Sequence, residues 1–221
     1  MSRIFFYVAA LLGLLGWGSC TNPNGYRVEQ KFKSLVDDER CSVTFFYPVL
    51  KWDDGTTNRE LDFILENYVE YERYTRNCDA HSGAKKVIKG DFKVILATKN
   101  VLSIEFTEDV LSYGGREKHQ IYHSIVLNPE LLKTGQIAAF GRPEDLFPQF
   151  DRGRLYPFVQ AYNEQHQQQI NLRAYETGSN YAMTWGISAT DLILYVGGEG
   201  EFYGEDRIFI PLETLGLRGP S

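Results

Sequence analysis

Four histidines, three cysteines and two glycine-rich stretches carry most of the chemistry this chain has to offer. His119 and His123 stand four apart, a spacing that on a helix would bring two imidazoles to one metal ion. The residues around them alternate instead, with Ile121, His123, Ile125 and Leu127 on one side and Gln120, Tyr122 and Ser124 on the other. That pattern is a strand, on which four residues span about 13 Å, too far for one ion to bridge. His81 and His166 lie in polar surroundings. No metal site is expected.

Ser82-Gly83-Ala84-Lys85 and Lys133-Thr134-Gly135 together spell a motif pair of serine acyl-enzymes. Ser-x-x-Lys must open a helix, whereas Ser82 follows a predicted helix end, and Lys133-Thr134-Gly135 reads as a hairpin turn. Glu199, Glu201, Glu205 and Asp206 cluster around Gly197, Gly198, Gly200 and Gly204. Carboxylates so placed could hold calcium, but the one-three-five ligand spacing is absent, and a solvated loop between strands is expected. No catalytic residue and no cofactor follow from these patterns. Tyr113, Arg116, His119 and Tyr203 lie around glycine-rich bends, with Tyr122 and Phe202 beside them. Exposed aromatics next to flexible glycines make contacts for proteins or glycans and serve equally well as core plugs at a sheet end; those four form the candidate binding surface.

The chain that must position these groups has 221 residues and a formal charge of −6. The acidic balance argues against a nucleic-acid partner, which calls for a basic face. Charged residues, 24% of the total, are scattered throughout and exclude a multi-span membrane protein. An aromatic content of 14% is too high for a disordered chain and leans towards strands.

The N-terminus reads as an address. Arg3 precedes an uncharged run from Ile4 to Trp17, and Gly18-Ser19-Cys20 follows. A basic start, a short apolar run and small residues before a cut are the grammar of export, and the run is too short for a permanent span. Leu-Leu-Gly-Trp-Gly-Ser-Cys resembles a bacterial lipobox, with Trp17 where Leu is usual. Three cysteines leave one unpaired in an exported protein, and lipidation of Cys20 accounts for it. Residues 1–19 are then a lipoprotein signal peptide, 20–25 a short tether, and 26–221 a single domain. The membrane is met through the lipid anchor only.

Alternation at Tyr26, Val28 and Phe32, and again at Val43, Phe45, Tyr47 and Val49, predicts strands; Pro48 predicts an edge or a strand end. Asp54-Gly55 is a turn signal. Thr57-Asn58-Arg59-Glu60 fits a capping box in which either Thr57 or Asn58 caps a helix carrying Leu61, Ile64, Leu65, Tyr68 and Tyr71 on one stripe. Strands are expected at Val87–Gly90, Phe92–Thr98 and Val101–Asp109, with Lys99-Asn100 as the hairpin turn. A second helix falls within Leu146–Gln169, and strand pattern returns at Tyr181–Ile187, Asp191–Val196 and Arg207–Pro211. The sum is an α+β fold, a mainly antiparallel sheet with two principal helices packed on it.

The order of several motifs resembles a known family. Tyr47-Pro48-Val49-Leu50 before the Asn58 helix resembles the opening of the extracellular part of RsiV-type anti-sigma factors. Tyr113-Gly114-Gly115, Lys133-Thr134-Gly135, Leu146-Phe147, the strand Asp191–Val196 and Ile208-Phe209-Ile210-Pro211-Leu212 follow in that family's order. The resemblance covers roughly residues 42–215. It implies an envelope-facing α+β binding domain, which in the anti-sigma members senses lysozyme by binding it. Two departures stand out. Three residues precede the apolar run, so no sigma-binding segment is expected. The family's Gly-Gly-Ala-His becomes Gly114-Gly115-Arg116-Glu117, so no role of that histidine carries over.

Chain geometry predicts a Cys41–Cys78 disulfide. A strand from Cys41 to Leu50 spans about 30 Å, and a helix over 58–75 running back covers about 27 Å, which returns Cys78 to the strand's start. The expected function is a lipid-anchored, non-enzymatic envelope protein whose ligand is a lysozyme-type protein or a cell-wall glycan. The rival is an envelope hydrolase acting on peptidoglycan or a related polysaccharide.

Overall fold

The computed structural model describes residues 24–37, 41–59, 61–62, 86–112, 118–136, 139–167, 170, 185–197 and 204–220. Within them lie eight strands: β1 (Tyr26–Asp37), β2 (Cys41–Trp52), β3 (Lys86–Ala97), β4 (Leu102–Ser112), β5 (Lys118–Leu127), β6 (Trp185–Ile187), β7 (Asp191–Gly197) and β8 (Gly204–Pro211). They form one sheet in the order β1-β2-β3-β4-β5-β8-β7-β6. All neighbours are antiparallel except β2 and β3. Helices occupy Pro129–Lys133, Pro143–Leu146 and Tyr156–His166. This is the α+β fold with a mainly antiparallel sheet. No described helix is long and apolar enough to cross a membrane.

The parallel pair was not legible from the strands alone. A parallel neighbour requires a crossover, and residues 53–85 lie between β2 and β3. The crossover opens with a helix cap, and of the two candidates it is Asn58. Asn58 Oδ1 accepts from Leu61 N at 3.0 Å, and Asn58 Nδ2 donates to the Leu132 carbonyl at 2.8 Å. Leu61 is buried with Leu50 and Trp52. The rest of the expected helix stripe, and Cys78, lie outside the described residues.

Several local expectations change. Lys133-Thr134-Gly135 is not a hairpin turn. It closes the helix Pro129–Lys133, whose N-cap Asn128 accepts from Glu130 N and Leu131 N, while Gly135 takes a positive φ of 78°. Glu205 and Asp206 belong to β8 and not to a loop; Asp206 Oδ2 accepts from the Tyr162 hydroxyl at 2.8 Å and so ties the helix Tyr156–His166 to the sheet. Pro48 is internal to β2 rather than on an edge strand, but β2 pairs with β3 only from Cys41 to Phe45. Beyond that point, among the described residues, β2 has a neighbour on one side, where a missing N–H is tolerated.

The two strands expected at Val87–Gly90 and Phe92–Thr98 are one. Gly90 does not break β3; it lies in register with Phe45 of β2 and Glu108 of β4. A β-carbon at Gly90 would overlap the Phe45 ring, so the glycine leaves the space the ring fills. Phe45, Cys41, Val43 and Ile88 make a small cluster there. A second cluster joins Tyr26, Leu50, Trp52, Leu61, Ile104 and Phe106, and a third packs Val159 and Tyr162 of the long helix against Leu192, Leu194 and Ile210. Gly90→Ala should lower stability by about 1–3 kcal/mol in urea unfolding, the usual cost of overpacking a core. Paired with Phe45→Leu, it should cost less than the sum of the two changes. A Gly90→Ala protein as stable as the wild type would contradict this packing.

Candidate binding platform

Alternation in β4 puts Leu102, Ile104 and Phe106 on one face and Ser103, Glu105 and Thr107 on the other. In a strand buried on one face the polar set would meet water. Here Ser103 and Glu105 are 0% and 5% exposed. The sheet curls until β6 lies against β4, where Ile187 N donates to Ser103 Oγ at 3.1 Å. Gly186 allows the approach, because a β-carbon there would sit 2.8 Å from Ser124 Oγ and 3.1 Å from the Tyr195 hydroxyl.

The curl encloses the Glu105 carboxylate. The Tyr195 hydroxyl donates to Oε2 at 2.9 Å, and Arg207 Nη1 donates to Oε1 at 2.9 Å and Oε2 at 3.1 Å. Burial, then the Glu105 charge, pushes the Tyr195 phenol well above its ordinary value, so it remains a donor. Partial burial works against the Arg207 charge, but the Glu105 bond and charge outweigh it and hold the guanidinium above its ordinary value. The carboxylate is therefore satisfied by a cation and a neutral hydroxyl.

Above this buried base is an accessible surface. The Arg207 guanidinium lies 4.2 Å over the Tyr122 ring and 5.7 Å from the Phe209 ring. Phe209 is 53% exposed, although Ile208 and Ile210 on either side of it are buried. The Tyr122 hydroxyl donates to Gln120 Oε1 at 2.6 Å, and Gln120 Nε2 donates to Asp109 Oδ1 at 3.0 Å. An open aromatic ring thus stands beside a guanidinium already fixed by its own bonds. Such an array can stack on an apolar ligand face and hydrogen-bond its rim, with little ordering cost on binding.

The residues expected to form the binding surface are not assembled by the described part of the chain. His119 is in β5, in register with Val110 of β4. Tyr113, Arg116 and Tyr203 lie outside the described residues, as do Phe202, Glu199 and Glu201. Tyr122 does belong to the platform. Glu105, Arg207 and Phe209 were missed, although one signal was present: Phe209 falls on the polar side of a strand whose apolar side is Ile208 and Ile210.

On the opposite face of β4 and β5, His123 Nε2 lies 3.0 Å from Glu108 Oε1. An imidazole–carboxylate pair is acid–base equipment, but the two side chains are 8% and 6% exposed, too enclosed to meet a polymer. Among the described residues, no three His, Cys, Asp or Glu side chains converge on a site for a metal ion.

No family model and no curated protein matches the chain. Among solved structures it is similar to a member of the DUF3298 family from Bacteroides fragilis, at 11% identity over 90% of this chain and 96% of that one, with a TM-score of 0.47. It is also similar to a DUF3298 family protein from Pseudomonas aeruginosa, at 14% identity over 90% of this chain and 95% of that one, with a TM-score of 0.40. Its structural neighbours are thus proteins named for a domain of unknown function.

Proposed function

We propose that this chain is an exported, lipid-anchored cell-envelope protein whose RsiV-like domain binds a ligand and performs no catalysis. Cys20 is the attachment point, at the outer membrane or its periplasmic face. The observation that carries the binding reading is the exposed Phe209 ring beside Arg207, which is itself held on the buried Glu105 carboxylate. A flat open ring beside a fixed guanidinium suits the face and hydroxyl rim of a pyranose, so a cell-wall glycan is the first ligand. A lysozyme-type protein is the second, favoured by the order of motifs shared with RsiV-type anti-sigma factors.

Sedimentation with purified peptidoglycan and capture on immobilised lysozyme, run side by side, test both. Binding to either should weaken at least tenfold in Phe209→Ser, a loss of about 1.4 kcal/mol that one well-placed aromatic contact readily supplies. Binding unaffected by that change would remove the platform from the account. Turnover of peptidoglycan abolished by His123→Gln would replace the binding domain with the rival hydrolase.

The Cys41–Cys78 disulfide belongs to the same exported-protein reading. Its support is topological: Cys41 is fully buried and stands in register with Lys86, the first residue of β3. In a parallel pair both strands begin at the same end of the sheet, so the chain arriving at Lys86 comes to the side where Cys41 sits. The bond would close the crossover and stabilise the fold by about 3–4 kcal/mol in the chain-entropy model. Thiol labelling of unreduced protein, denatured after oxidative purification, should find no reactive thiol at either position. Two labelled cysteines would exclude the pairing.

A further inference from the structure

The first described residues are tied down. Asn24 Nδ2 donates to the Ala97 carbonyl at 3.0 Å, the Tyr26 hydroxyl donates to the Thr98 carbonyl at 2.8 Å, and Asp53 N donates to the Gly25 carbonyl at 3.1 Å. These bonds join the entry point of the chain to the turn between β3 and β4 and to the turn after β2. Further contacts extend the same end of the molecule. Lys133 Nζ lies 3.0 Å from Asp54 Oδ2, and Lys99 Nζ lies 3.7 Å from Glu130 Oε1. Asn58 bonds the Leu132 carbonyl beside them. Four segments therefore make one end: residues 24–26, 53–58, 97–101 and 129–135.

Thr21, Asn22 and Pro23 alone separate this clamp from Cys20. The four steps from Cys20 to Asn24, fully extended, reach only about 14 Å. A lipid on Cys20 would hold the clamped end within that distance of the headgroups, and the inference rests on that reading of Cys20. We propose that this end of the domain is a membrane-docking face, seated on zwitterionic phospholipid headgroups. Its charges suit that surface. Lys99 and Lys133 stand beside Glu130 and Asp54, so both signs of the headgroup find a partner, although the whole chain carries −6. β4 leaves this end at Leu102 and runs for 11 residues, about 33 Å at the strand rise. β4 then ends, at Ser112, on the side away from the bilayer, and the Tyr122–Arg207–Phe209 platform stands between the two ends.

Lysine acetylation footprinting read by mass spectrometry tests the docking. Lipidated full-length protein is placed on vesicles of phosphatidylethanolamine with a minority of phosphatidylglycerol and compared with soluble Cys20→Ala protein. Lys99 and Lys133 should be acetylated several-fold more slowly on vesicles. Lys89, exposed in β3 and in register with Asp109 far along the strand, should react at the same rate in both. Protein that floats with vesicles while all three lysines react as in solution would overturn the docking face and leave the Cys20 anchor standing. Equal protection of Lys89 would also overturn it, because the domain would then lie on its side. Protein that does not float would overturn the anchor, and the docking face with it.

Discussion

The buried carboxylate of Glu105 is the point through which the two parts of the sheet are tied. It sits on β4, and its partners Tyr195 and Arg207 come from β7 and β8, with Arg207 102 residues away in sequence. Among the described residues, β5 and β8 share one register pair, Tyr122 with Gly204. Side-chain chemistry adds to that pairing in keeping β6, β7 and β8 curled over β4 and β5. The Ser103–Ile187 bond and the close approach at Gly186 work to the same end.

A buried ion pair is a weak source of net stability, because desolvation of the two charges offsets most of their attraction. Its value here is geometric. The bonds from Arg207 Nη1 to both oxygens of Glu105 leave the guanidinium one position, over the Tyr122 ring and next to Phe209. Fixing the cation in advance lowers the ordering cost that any ligand of this surface would otherwise meet. The same carboxylate that closes the curl thus sets the platform.

Much of the architecture was legible in the sequence. The alternation of Val43, Phe45, Tyr47 and Val49 is local, and so are the Asp54-Gly55 turn, the Lys99-Asn100 turn and the Asn58 cap; local signals survive without a tertiary context. The site was legible only in part, for a definite reason. Leu102, Ile104 and Phe106 alternate with Ser103, Glu105 and Thr107, which reads as a strand with one wet face. That face is dry because a distant hairpin folds over it, and no local pattern announces a partner about a hundred residues away. The Lys133-Thr134-Gly135 turn failed differently. Asn128-Pro129-Glu130 is a helix start, and the turn that follows is the end of that helix.

The coupling between Glu105 and Arg207 is the quantity on which this account rests. A double-mutant cycle with Glu105→Ala and Arg207→Ala, followed by urea unfolding, isolates it from the separate cost of each truncation. Bonds to a charged, largely buried carboxylate predict a coupling of about 1.5–3 kcal/mol. Additivity of the two substitutions to within about 0.5 kcal/mol would mean that the curl is held by something else.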